Sequence, residues 1–471
     1  MILLIAAIAL AAPGKSAMPA AAASDPRLAG AYRFERGGWT YVHLEGGPAQ
    51  IGFQHGYLLA PEIADGLAAY KLDATHTTKR DWNFFRTTSE KVLWPHIEKE
   101  YREELQGIVD GARAHGTQLD LDDIVALNAF EEVPDYYVPW LNTKDHAANA
   151  PRLVSPGNCS AFVATGSYTR DSRIVLAHNN WTSYWMGERW RIIFDMAPSH
   201  GSRMLMDGFP GVITSDDDFG VNAAGIMVTE TTITQFNGFD PNGVPEFVRS
   251  RKALQYADSI DDYARMMIQN NNGGYANDWL VGDRKTGEIA RLELGLLNHR
   301  LWRTKDGYFD GSNFPSDPKL TKEETNFDPA DSGSSPNARH VRWEQLINGA
   351  KGKIDVNDAE AFLSDHQDTF LGKEEADERT LCGHTDTSAR GIPQWEWGPH
   401  YPGGAVHGKV IDSRMAEAMS FFARAGHPCG SDFLAAPFLK DHPEYQWTAP
   451  ILRDMKARPW TEFRAGDKPA Q

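Results

Sequence analysis

Cys159 is the residue whose setting bears most directly on chemistry. A polar, Pro-punctuated stretch beginning at Asn142 ends in Pro156-Gly157-Asn158, and an apolar, β-forming run starts with Cys159-Ser160-Ala161-Phe162. A thiol at the first position of a strand can attack the carbonyl that precedes it. The Asn158–Cys159 peptide then becomes a thioester, and its hydrolysis frees the Cys159 α-amine beside its own sulfur. An α-amine titrates near roughly 7.7–8.0 and a thiol near about 8.5, so the amine can take the thiol proton close to neutrality. The same position also suits a small buried strand cysteine, and spacing alone leaves both open.

The elements that must position this residue change character at the linker. Before it, apolar residues recur three and four apart through Ile51, Leu58, Ile63, Leu67 and Tyr70, again through Ile97, Tyr101, Leu105 and Ile108, and after a candidate N-cap at Asp120. These predict helices. After the linker, short β-forming runs predict strands over 160–164, 174–177, 190–196, 212–215 and 225–233. Helices are expected over 246–256 and 260–268, strands over 279–282 and 289–294, and helices over 338–348, 356–364 and 412–425. The Pro, Ser, Asp and Gly-rich stretch 316–336 reads as a surface excursion. Strands in runs with helices in pairs favour an α+β layered sandwich over a doubly wound sheet.

Composition narrows the partners. With 41% hydrophobic and 24% charged residues the chain has material for a core, and 64 acids against 47 bases leave a net charge of −17. That balance argues against a sequence-independent grip on nucleic acid or anionic membranes. The apolar run 2–12 followed by Ala21-Ala22-Ala23 predicts a signal peptide over 1–23. The expected organisation is then an α-rich N-terminal chain over 24–141, a linker over 142–158 and a catalytic chain over 159–471. A secreted or periplasmic location is expected, lysosome-like in a eukaryote, with no integral membrane segment after signal removal.

Several collinear motifs follow Cys159-Ser-Ala-Phe: Leu176-Ala-His178-Asn179-Asn180-Trp181, Gly208-Phe-Pro-Gly211, Ser215-Asp-Asp-Asp-Phe219, Val228-Thr-Glu230-Thr231-Thr232 and Asn272-Gly-Gly-Tyr-Ala-Asn277-Asp-Trp279. Gly311-Ser312-Asn313, Ser388-Ala-Arg390 and Gly403-Gly-Ala-Val-His407-Gly-Lys409 continue the series. Together they resemble the phospholipase B-like family of N-terminal nucleophile hydrolases, and the helical stretch around Gln50–Ile63 is similar to the opening of penicillin acyltransferase-type enzymes. The resemblance implies an αββα four-layer sandwich, autoproteolysis between Asn158 and Cys159, and hydrolysis of an acyl ester or amide, with no cofactor.

Carried over by that resemblance, Cys159 is the nucleophile. His178 either delivers a polar group beside the amine or is a structural histidine. Glu230 and Thr231 either orient the amine or pair across strands. Asn277 and Asn313 are candidate oxyanion donors, an amide meeting that need without titrating, although Asn277 equally suits a turn cap. Arg390 either holds a substrate carboxylate or phosphate or forms a structural ion pair. The family often has a close cysteine pair before Ser-Ala-Arg, where Cys382 here stands alone, and His407 lies near a common family Asp. In an exported chain whose nucleophile stays free, Cys382 and Cys429 are expected to form a disulfide. Cys382-Gly-His384-Thr-Asp386 with His400 or His407 has zinc-compatible side chains but fits no zinc spacing, so no metal is expected.

The substrate expected is a small acyl-bearing molecule: a lysolipid, a phospholipid or an N-acyl amide. The alternatives are an acyltransferase to an amine acceptor, and a non-catalytic carbohydrate- or lipid-binding protein with some of the 14 Trp as ligand platforms.

Overall fold

The computed structural model describes residues 25–144 and 159–469. The expected signal peptide, Asn158 and residues 145–158 of the expected linker lie outside the described residues. The helix Val138–Lys144 runs into the start of that linker.

The described chain is α+β, built around two large sheets. The nine-stranded sheet runs, in order, Tyr32–Arg36, Trp39–Gly46, Ile192–Pro198, Met204–Gly208, Gly220–Asn222, Ile226–Thr232, Asn277–Asp283, Glu288–Leu294 and His299–Thr304. The six-stranded sheet runs Gly307–Gly311, Cys159–Gly166, Ser172–Ser183, Gly403–Asp412, Ser420–Ala425 and Thr461–Arg464. The period of two along each strand sends alternate side chains to opposite faces. Ala161, Val163, Ile174, Leu176 and Ile411 of the smaller sheet share one buried cluster with Tyr41, Ile193, Leu205, Met227 and Leu280 of the larger. The two sheets therefore face each other. Phe162, Ala164, Val175 and Ala177 pack the other way, on Trp343 and Ile347 of helix Ser335–Gly349 and on helix Val356–Leu363. The outer face of the larger sheet is covered by the helices of residues 48–128 and by Glu246–Tyr256 and Ile260–Ile268.

Most of the expected helices are present, among them Pro48–Leu58, Ala60–Thr78, Lys99–His115 and Leu121–Asn128. The α-rich N-terminal chain also opens with an unpredicted hairpin, turned by Gly37 and Gly38, both at positive φ, and its second strand pairs parallel with Ile192–Pro198. Two expectations are corrected. Residues 212–215 form no strand, because Pro210, Gly211 and the aspartates that follow turn the chain away after Met204–Gly208. Residues 412–425 are not one helix but a five-residue helix, Ser413–Glu417, followed by a strand whose Phe421, Ala423 and Ala425 alternate into the core between the sheets. No described helix is long and apolar enough to cross a membrane.

Candidate active site

The apolar rows between the sheets turn polar at one end. Ile174 and Leu176 continue to His178, Ile411 to Lys409 and His407, and Leu205 to Asp207, every one of them buried. Lys409 Nζ donates to Asp207 at 2.8 Å and also to Asp217, and Ser215 Oγ bonds both carboxylates at 3.0 and 2.7 Å. Burial and the neighbouring Asp217 push Asp207 upward. Against the same burial, Lys409 and the two imidazoles hold Asp217 below the ordinary carboxylate range. Burial and Lys409 lower His178 to about 3, so its ring is neutral at working pH.

Cys159 lies at this polar end, as the first residue of its strand, and is buried. Its Sγ, a ring nitrogen of His178 and a carboxylate oxygen of Glu230 all lie within 4.8 Å of one another. The thiol donates to Glu230 Oε1 at 3.5 Å, and Tyr275 OH donates to the same oxygen at 3.3 Å. Burial, followed by Glu230 and Asp217, pushes the thiol well above its usual range. Ionising Cys159 therefore needs a base that takes its proton as it reacts.

The backbone of Cys159 is held as firmly as its sulfur. Its N–H donates to Asn313 Oδ1 at 3.3 Å, and Asn313 Nδ2 in turn donates to Thr232 O at 2.9 Å. Asn313 reaches this place because its chain passes unusually close to the larger sheet. A Cβ on Gly311 would lie 2.3 Å from Thr231 Oγ1, so only glycine fits there. Arg339, fully buried, donates to Cys159 O at 2.6 Å, Ser160 Oγ at 2.8 Å and Asn313 Oδ1 at 2.8 Å. Among the described residues it has no carboxylate partner. Burial lowers it to about 9, which leaves it cationic at neutral pH.

Of the expected site residues, Cys159, His178, Glu230, Thr231 and Asn313 come together. Asn277 begins the strand beside Thr232, and neither atom of its buried amide has a hydrogen-bond partner among the described residues. Asn313 differs from the expectation, since its amide nitrogen is engaged by Thr232 and its oxygen faces the Cys159 N–H. Arg390 is elsewhere: it donates to Gly333 O at 2.6 Å and lies 3.5 Å from Glu378, linking two loops. Arg339, missed in the sequence, was detectable as the one cation on the Arg339-Trp343-Ile347 stripe, spaced four apart on a buried helix face. Tyr275 lay inside a quoted motif without a role. The expected disulfide is corrected as well. Cys382 and Cys429 are free thiols that share a histidine instead of bonding each other.

The family model described as Phospholipase B matches residues 66–298. Phospholipase B-like 1 of Homo sapiens is 24% identical over 52% of this chain and 49% of that protein. Putative phospholipase B-like 1 of Caenorhabditis elegans is 30% identical over 51% of this chain and 43% of that protein. The chain belongs to the phospholipase B-like family. An Archaeoglobus fulgidus protein of undescribed activity is 27% identical over 56% of this chain and 44% of its own length. The matched stretch is thus less than half the length of each of these relatives.

This phospholipase B-like chain also has a cleft of about 360 Å³ lined by aromatic side chains, including Tyr70, Trp185, Trp395, Trp397 and Tyr401. Trp395 connects it to the cysteine, since the Arg339 guanidinium lies 5.7 Å from its ring and 4.4 Å from that of Trp181. Asp73, Glu131 and Asp135 also line the cleft. Burial pushes Asp73 and Glu131 to about 7, and burial with Glu131 pushes Asp135 up. A carboxyl raised in the folded state binds more protons folded than unfolded between its two pKa values, so its stabilising contribution falls as pH rises from about 4 to about 7. Asp73→Asn is therefore expected to raise Tm by a few degrees at pH 8 and to leave it unchanged only at about pH 3.5, below both pKa values. Thermal melts at both pH values check this, and an equal shift at the two would contradict it.

Proposed function

We propose that this chain is an exported N-terminal nucleophile acyl hydrolase, which cuts itself before Cys159 and then cleaves a lipid-like acyl ester or amide through a Cys159 thioester. The layer order of helices, sheet, sheet and helices supports an αββα sandwich of that class. The observation that carries the reading is the convergence on one residue: the Cys159 nitrogen on Asn313, its sulfur on Glu230 and His178, and its carbonyl on Arg339.

In maturation, Cys159 Sγ adds to the carbonyl of residue 158. The C–N bond breaks, the Cys159 nitrogen leaves as an amine carrying the proton, and water hydrolyses the thioester to a carboxylate and a thiol. In turnover, the free amine held by Asn313 Oδ1 accepts the thiol proton while sulfur attacks the substrate carbonyl. The Asn277 amide, without a hydrogen-bond partner among the described residues, supplies a donor for the oxyanion. The proton passes to the leaving alcohol or amine, and water releases the acyl group as acid. Arg339, a cation with no carboxylate partner among the described residues, favours the negative charge that develops at Cys159. The aromatic cleft supplies apolar surface for the acyl chain.

From 52.4 kDa over 471 residues, a denaturing gel of the active protein is expected to show fragments of about 15 and about 35 kDa, the larger beginning at Cys159. The fragments should separate only on denaturation, because the smaller contributes two strands to the nine-stranded sheet. A fully active intact chain would sink the mechanism, and an intact chain without hydrolysis of any acyl ester or amide would favour a binding protein.

A further inference from the structure

Three clusters of possible metal ligands occur among the described residues. One is the Cys159 site itself. In the second, Asp207 and Asp217 already hold the Lys409 ammonium, and His407 lies 3.8 Å from Asp207. The third belongs to neither. His366, Cys382, His384 and Cys429 each offer one ligand atom, and all four atoms lie within 4.8 Å of one another.

These four residues are brought together from separated segments. His366 follows the helix Val356–Leu363, Cys382 and His384 lie on the loop that bridges to Gly404, and Cys429 follows the strand Ser420–Ala425. Both sulfurs are 3.6 Å from the same atom, His384 Nε2. With Zn–S about 2.3 Å and Zn–N about 2.0–2.1 Å, a tetrahedral site has S···N edges of about 3.6 Å. The other nitrogen of His384 faces Asp386 Oδ1 at 3.9 Å, and Asp386 is itself fixed by Tyr184 OH at 2.6 Å, so a carboxylate stands behind the imidazole as it does behind many metal-bound histidines. His366 Nε2 is buried and has no hydrogen-bond partner among the described residues. Cys382 is buried, but Cys429 is partly exposed, which leaves a path for an ion.

We propose that His366, Cys382, His384 and Cys429 bind one zinc ion in a closed structural site. Two thiolates and two imidazoles select zinc over the hard oxygen-seeking cations, and four protein ligands leave no open position for substrate. The ion's effect on the candidate active site is indirect. It would fix the loop whose Leu381 carbonyl accepts from Asn179 Nδ2 at 2.9 Å and from Trp181 Nε1 at 3.2 Å, and Trp181 lies beneath Arg339. The site does not depend on the proposed hydrolase reading.

Elemental analysis of protein purified without chelator and dialysed against metal-free buffer is expected to give about one zinc per chain. Cys382→Ser and Cys429→Ser should each bring it to background, while Cys159→Ala keeps it. Because the serine variants could misfold, the wild-type protein is also titrated with a mercurial thiol reagent, which should release the zinc as two thiols are modified. Cobalt-exchanged protein should show tetrahedral thiolate-to-cobalt absorption. Three results would overturn the proposal: no metal retained after zinc loading, a chain two hydrogens lighter with Cys382 and Cys429 oxidised to each other, or zinc lost from Cys159→Ala and kept by Cys382→Ser.

Discussion

The Cys159→Ala chain is expected to remain one uncut polypeptide and to lose acyl hydrolysis, by a factor on the order of 10⁶ in kcat as when the nucleophile is removed from an acyl-transfer site. Both losses have one cause under the proposed mechanism, in which the same sulfur cuts the chain and carries the acyl group. No neighbour replaces it. Ser160 Oγ is hydrogen-bonded to Arg339, and it lies one residue beyond the bond to be cut. Alanine suits this buried strand position, so the variant should keep its circular dichroism spectrum and melt close to wild type, which separates lost chemistry from lost structure. Cys159→Ser retains a weaker nucleophile and is expected to cut slowly. A Cys159→Ala protein found in two fragments would show that another group or another protein makes the cut.

Asn277→Ala is expected to lower kcat by about 10²–10³ with little change in KM, the cost of removing one oxyanion donor. Its effect on stability should run the other way. The amide is buried with neither polar atom partnered among the described residues, and deleting an unsatisfied buried group relieves a desolvation penalty of about 1–3 kcal/mol. The variant should therefore melt at or above the wild-type temperature while turning over far more slowly. A depressed Tm with kcat within threefold of wild type would make Asn277 a structural residue. Steady-state kinetics on a soluble monoacyl ester, paired with a thermal melt, decide between these outcomes.

What could be inferred from sequence followed the range of the physical signal. Helices such as Glu246–Tyr256 and Ile260–Ile268 announce themselves through local periodicity. So do the strands carrying Cys159 and His178, and with them the candidate nucleophile and its imidazole neighbour. The strand Ser420–Ala425 was hidden because Arg-Met-Ala-Glu-Ala-Met favours helix, whereas inter-sheet burial of Phe421 and Ala423 outweighs that local preference. The opening hairpin was legible in Gly37-Gly38 between β-forming runs and was overlooked. Arg339 and the histidine-cysteine cluster were of another kind, because their partners are far away in the chain. Cys382 and Cys429 meet at His384 through tertiary folding, and no short motif encodes that meeting.

The reach of Arg339 has a temporal meaning. It contacts the Cys159 carbonyl across 180 residues of sequence, and Asn313 contacts the Cys159 nitrogen across 154. During synthesis the bond that the proposed mechanism cuts, and the sulfur it assigns to the attack, emerge long before Arg339 and Asn313. Under the proposed mechanism a nascent chain has the blade but not the vice, and cleavage waits until the ribosome has delivered the second half and that half has docked. Under that mechanism a product stalled before Arg339 would stay in one piece, so the cut would mark a chain grown past Arg339 and folded around it.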